Sequence, residues 1–184
     1  MEAAVHLFAR NGIDGTSVDD IARAVSLSRA TVFNHFPYKE ALLVEIGARL
    51  VADIAREASA HRRRSVRRRL YDLADGIATI AEHYPSVVPH IAREMTHPDP
   101  ERRAHAAARM QYPALYEGLL ENLEAAGQLR SRGRQGSYGR QLVDMTTGAL
   151  VRVGNDFGLD ELRTELRANV DVFLEGAVTD LDRE

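Results

Sequence analysis

The histidines His83, His90 and His97 recur every seven residues, a spacing that could line up metal-binding imidazoles along one helix. Pro85, Pro89 and the His97-Pro98 step break that register, and no carboxylate or cysteine stands at ligand spacing, so no metal is expected. The chain has no cysteine, which removes disulfides and thiolate chemistry. It also shows no nucleophile–base pairing, no phosphate-cradling glycine loop and no zinc signature, so neither an enzyme nor a cofactor is expected. Of its 24 basic residues all but Lys39 are arginine, which draws attention to the segment around that lysine.

That segment carries two short helical patterns, Ser17–Ala24 and Ser28–Phe36, separated by a tight turn at Ser26-Leu27. Ser17 can cap the first with Asp20 as its capping-box partner, and Ser28 can cap the second. Pro37 ends the second helix, because proline disfavours helical backbone in the residue before it. A short helix bracing another whose leading side chains are exposed is the helix-turn-helix arrangement, which inserts its second helix into the DNA major groove.

These elements need a frame, and apolar residues recur at helical spacing almost throughout, without strand-like alternation. The reading is all-α. A first helix spans Glu2 to about Asn11, with Val5, Phe8 and Ala9 inward and Gly12 as its stop. A long helix from Lys39 or Glu40 to Ala60 carries Leu42, Leu43, Ile46, Leu50 and Ile54. Further helices are expected at Val66–His83, Ser86–Met95, Pro100–Ala126, Ser137–Asp156 and Asp160–Thr179, with Pro89 and Pro113 kinking theirs. The arginine run at 62–69 is read as a junction or a solvated helix face. The boundary expected from this pattern separates an N-terminal three-helix domain, 1–46, from a larger C-terminal bundle, 47–184. No stretch approaches the ~20 apolar residues of a membrane span, and the first residues lack a signal-peptide pattern, so a soluble, cytoplasmic protein is expected. The net charge of −3 decides little, because DNA binding requires only a local positive face.

The sequences Thr16-Ser17-Val18-Asp19-Asp20-Ile21-Ala22, Ser28 to Phe36, and Lys39-Glu40-Ala41-Leu42-Leu43 resemble the DNA-binding signature of the TetR family of transcriptional regulators. Ala3-Ala4, Leu7-Phe8 and Gly12 fit it as well, so the resemblance covers about the first quarter of the chain. It implies that Thr31, His35 and Lys39 contact operator phosphates. It also implies that Arg29 and Ala30 lie where base edges are read, arginine toward guanine and alanine toward a thymine methyl, with Asn34 a second reader. Ser17 would donate to phosphate or simply cap. Taken alone, Ser17 and Ser28 are caps, His35 a structural histidine and Lys39 a solvated cation.

Three departures stand out. Phe33 replaces the usual tyrosine and so lacks a phosphate-facing hydroxyl, and Ser26 replaces the glycine common in the turn. The chain also begins almost inside its first helix, where members of the family often carry about ten further residues, including basic ones that help grip DNA, so a truncated N-terminus is expected.

The resemblance further implies a C-terminal bundle that encloses a small-molecule effector site and forms a homodimer through its last two long helices, and the stripe Leu162, Leu166, Val170, Phe173, Leu174 and Ala177 on the last of them agrees with such a seam. Candidate effector residues are the polar, aromatic and sulfur side chains His90, Met95, Met110, Tyr112, Tyr116 and Met145. Each is also ordinary core filling. The expected function is a sequence-specific repressor released from a palindromic operator by a small molecule. An activator or partner-controlled regulator is the alternative, and a helical carrier or enzyme a more distant one.

Overall fold

The computed structural model describes residues 2–36, 38–60, 64–125, 127–130, 137–153 and 155–179. The described residues form ten α-helices and no strands. Pro37, Arg62, Arg63, Gly154 and most of the 127–136 breakpoint lie outside them.

The first three helices are α1 (Glu2–Asn11), α2 (Val18–Ala24) and α3 (Arg29–His35). α1 ends at Gly12, whose φ of 76° only glycine adopts without strain. It buries Ala4 and Phe8, whereas Ala9, expected inside, is exposed. The fully buried Thr16 ties the following loop back to α1, donating to the Gly12 carbonyl at 2.8 Å. Ile21, Ala22 and Val32 close the base of this unit. The long α4 (Lys39–Ala60) then runs into the bundle, burying Leu42, Leu43, Ile46 and Ile54 as its spacing predicts.

The bundle comprises α5 (Val66–His83), α6 (Val88–Met95), α7 (Pro100–Met110), α8 (Tyr112–Ala125), α9 (Ser137–Arg152) and α10 (Leu159–Ala177). α4 packs against α5, α6 and α7, α8 against α9, and α10 against α5 and α9. One continuous apolar core joins the head helices to the bundle. No described helix is long and apolar enough to cross a membrane.

Four expectations are corrected. The single helix expected over Pro100–Ala126 is two, broken at Gln111, whose left-handed φ of 49° turns the chain between α7 and α8. Pro89 and Pro113 do not kink helices. Each is the second residue of its helix, where a missing N–H leaves no bond unmade. Arg69, read as part of a solvated run, is buried, whereas Arg64 and Arg68 reach outward to Asp72. Finally, the apolar stripe Leu162, Leu166, Val170, Phe173, Leu174 and Ala177 lies inside the protomer, because α5 and α9 cover it.

Candidate nucleic-acid interface and effector cavity

Ser17 and Ser28 cap the starts of α2 and α3. The Ser17 hydroxyl accepts from the Asp20 amide at 3.1 Å, and the Asp20 carboxylate accepts from the Ser17 amide at 3.0 Å, completing the capping box. The Ser17 hydroxyl also donates to the Asp20 carboxylate at 2.6 Å, and that bond first, then the one from the Ser17 amide, holds the Asp20 carboxyl below its ordinary value. The Ser28 hydroxyl accepts from the Thr31 amide at 3.0 Å and lies 2.8 Å from the Thr31 hydroxyl. Between the helices Ser26 holds φ at 55°, the left-handed backbone that a glycine would adopt with less strain.

With Val32 turned inward, α3 leaves Arg29, Ala30, Asn34 and His35 exposed and Thr31 and Phe33 half-buried. Arg29 is not extended. Its guanidinium donates to Asp19 at 3.1 Å and sits 5.1 Å from the centre of the Phe33 ring. Both contacts are solvent-accessible and readily exchanged. Lys39 is more tightly engaged, its side chain only 23% exposed. Its ammonium donates to the Ile13 carbonyl at 2.8 Å, with Asp14 at 3.9 Å. An ammonium has three N–H donors, so this staple leaves others for a phosphate.

A cavity of about 630 Å³ lies between α4, α5 and the α7–α8 junction. Its α4 wall is the small-residue stripe Ala48, Val51, Ala52, Ala55 and Ala58, faced by Met110, Leu115 and Leu119. Arg69, Arg109, Gln111 and Glu121 add charged and polar groups of both signs to this lining. Beyond it, a much smaller apolar gap is lined by Gly47, Ile91, Met95 and Tyr112 among others. Gly47 is required for this packing, because a Cβ there would lie 2.7 Å from Ile91 Cγ2 and 3.0 Å from the Met110 sulfur.

The six expected effector residues are only partly gathered. Met110 lines the main cavity, and Met95 and Tyr112 line the small gap. Tyr116 is buried with its hydroxyl 2.6 Å from the Thr146 hydroxyl, and burial pushes its pKa up to about 12. Tyr112 is raised further by the same cause. Met145 is half-buried on α9, and neither it nor Tyr116 lines either space. His90 lies elsewhere. It is half-buried on α6, and the charges acting on it include Asp14, Lys39 and Glu40 of the head. Burial first, then Arg93, pushes its imidazole below the ordinary value. Sequence reasoning missed Arg69, Arg109 and the alanine stripe. The stripe's spacing on α4 was visible, but what faced it was not.

Residues 1–46 match the family described as "Bacterial regulatory proteins, tetR family". Residues 48–176 match "TetR/AcrR family transcriptional repressors, C-terminal domain". Among curated proteins the chain is similar to the Staphylococcus aureus (strain Newman) biofilm operon icaADBC HTH-type negative transcriptional regulator IcaR, 38% identical over 42 residues, 23% of each chain. It is 48% identical over 46 residues to the Vibrio harveyi HTH-type transcriptional regulator LuxR, 25% of this chain and 22% of that one. The chain thus spans less than a quarter of the length of these relatives. Among solved structures it superposes on Thermus thermophilus FadR, a TetR family transcriptional repressor in complex with lauroyl-CoA, with a TM-score of 0.87. That likeness has 28% identity and covers all of this chain and 95% of the other. Bacillus subtilis FadR, solved with stearoyl-CoA, shares the fold at a TM-score of 0.70 and 16% identity, covering 95% and 96% of the two chains.

Proposed function

Because this chain belongs to the TetR family of bacterial regulatory proteins, we propose that it is an operator-binding repressor whose effector is a long-chain acyl-CoA. The head, 1–46, binds DNA, and the remainder, 47–184, holds the effector and pairs two chains. The observation that carries the effector class is the cavity beside α4. Its volume suits a small-molecule site, its alanine-rich wall leaves room for an acyl chain, and Arg69 and Arg109 can meet the negative charge of the same ligand. The similar Thermus thermophilus protein was solved with a ligand of that kind.

On DNA, Ala30 and Asn34 face the base edges and Arg29 leaves Asp19 to join them. Ser17, Ser28, Thr31, His35 and Lys39 line the phosphate side, and Phe33 supports Arg29 without a hydroxyl of its own. Two heads are needed to read a palindrome. The exposed residues Thr164, Ala168, Val172 and Gly176 of α10, with Gly148 of α9, offer a small-residue face for the second copy. Acyl-CoA then acts by population shift, binding more tightly to the dimer whose heads no longer match the operator spacing.

Fluorescence anisotropy against DNA flanking the protein's own gene tests this reading. Sequence-dependent binding that weakens steeply with salt and is reversed by dodecanoyl-CoA is expected. Binding without sequence preference, or an operator complex indifferent to saturating acyl-CoA, would refute it.

A further inference from the structure

One arginine of the cavity lining is already paired with a carboxylate of the protein itself. Arg109, in the last turn of α7, lines the cavity, and its Nε and Nη2 donate fork-on-fork to the two carboxylate oxygens of Glu45 on α4. Glu45 stands one turn before Ala48, so it continues the α4 face that forms the cavity wall at the end nearer the head. The Arg109 side chain is 52% exposed and Glu45 20%. The pair is therefore reachable from outside, and an exposed pair of this kind holds itself together only weakly. Arg109 holds the Glu45 carboxyl below its ordinary value, the hydrogen bond being the largest cause, so at neutral pH the occupant is an anion.

A guanidinium presents the same fork to a carboxylate and to a phosphate. We infer that Arg109 is the anion-recognising residue of the effector cavity and that Glu45 is its resident counter-ion, displaced when a phosphate group of the effector arrives. This rests on the acyl-CoA reading and specifies how that site is regulated. The exchange has a mechanical consequence. Glu45 lies six residues after Lys39 on the helix that follows α3 directly, and Arg109–Glu45 ties α7 to that helix. Taking Arg109 away removes one of the ties between α7 and the head end of α4, while the acyl chain occupies the alanine-lined wall further along the same helix.

Two ligands with the same acyl chain separate the charge from the chain: dodecanoyl-CoA, and the dodecanoyl thioester of N-acetylcysteamine, which carries no phosphate. Their dissociation constants are measured by calorimetry on the full-length wild type, Arg109→Gln and Glu45→Gln. Arg109→Gln should weaken dodecanoyl-CoA about five- to ten-fold, a charge-assisted contact discounted for exposure, and leave the uncharged thioester unchanged. Glu45→Gln should tighten dodecanoyl-CoA several-fold, because the competitor is gone, again without affecting the uncharged ligand. Equal affinity of wild type and Arg109→Gln for dodecanoyl-CoA overturns the inference, as does weaker binding by Glu45→Gln. The Glu45→Gln arm decides alone if Arg109→Gln does not fold. Wild type that binds neither ligand overturns the acyl-CoA reading and this inference with it, a result distinct from failure of the exchange.

Discussion

Glu94 is a buried carboxylate in the middle of a helix junction, its side chain only 6% exposed. Both its oxygens accept from Arg102 of α7, Nε at 3.1 Å and Nη2 at 2.5 Å. The same guanidinium lies 4.8 Å from the centre of the Tyr38 ring, just before α4. Arg102→Met keeps the aliphatic stem and removes the charge, leaving Glu94 buried without its cation. Such a loss costs about 3–5 kcal/mol. Arg102 is 25% exposed, so water can reach the vacated site and the lower end, ~3 kcal/mol, is expected. For a chain of this size that corresponds to a fall of roughly 6–12 °C in Tm. Replacing both partners, Glu94→Leu with Arg102→Met, removes the stranded charge as well as the pair, and should come within about 1 kcal/mol of wild type. Urea unfolding of the wild type, both single variants and the double variant measures the coupling directly. If Arg102→Met loses less than about 1 kcal/mol, or the double variant is the least stable of the four, the reasoning that this buried pair locks α6 to α7 is wrong.

Ser26→Gly should stabilise the protein by about 0.5–1 kcal/mol in the same unfolding experiment. It relieves the φ of 55°, and the gain is partly offset by the greater freedom of glycine in the unfolded chain. Acid stability provides another check. Asp75 is held below its ordinary value of 3.8, first by the hydrogen bond from Arg167 and also by the charges of Arg167 and Arg163. A carboxyl depressed in the folded state contributes stability above its unfolded value and loses it as pH falls through the folded one. Asp75→Asn should therefore lower stability at pH 7 and flatten the decline below about pH 4. An acid limb identical to the wild type would show that the α5–α10 ion pairs are energetically silent.

The head was legible in the sequence because its determinants are local. Ser17, Asp20 and Ser28 act on amides three residues away, and the positive φ at Ser26 follows from a turn only a few residues long. The cavity beside α4 was not legible, because it is made of what is missing from α4. Alanines create space only if something bulky does not fill it, and that depends on how α5, α7 and α8 pack. Polar and sulfur-bearing residues drew attention instead, and Tyr116, Met145 and His90 among them lie away from that cavity. Tyr116 satisfies its hydroxyl on Thr146, and His90 sits against the head. The break at Gln111 gave no signal, since a left-handed glutamine is set by the packing around it and not by local preference. The last helix's apolar stripe was readable, but not whether α5 or a second chain would cover it.

The central claim is that the exposed edge of α3 reads DNA while Lys39 grips the backbone beside it. The most direct measurement is the operator dissociation constant of the wild type, Arg29→Ala and Lys39→Ala, against cognate and scrambled duplexes over a range of salt. Arg29→Ala should lose about 1–3 kcal/mol on the cognate site and narrow the gap between the two duplexes, whereas Lys39→Ala should weaken both alike and flatten the salt slope by about one ion. If the two variants behave identically, or neither changes binding, the edge of α3 is not the surface that meets DNA.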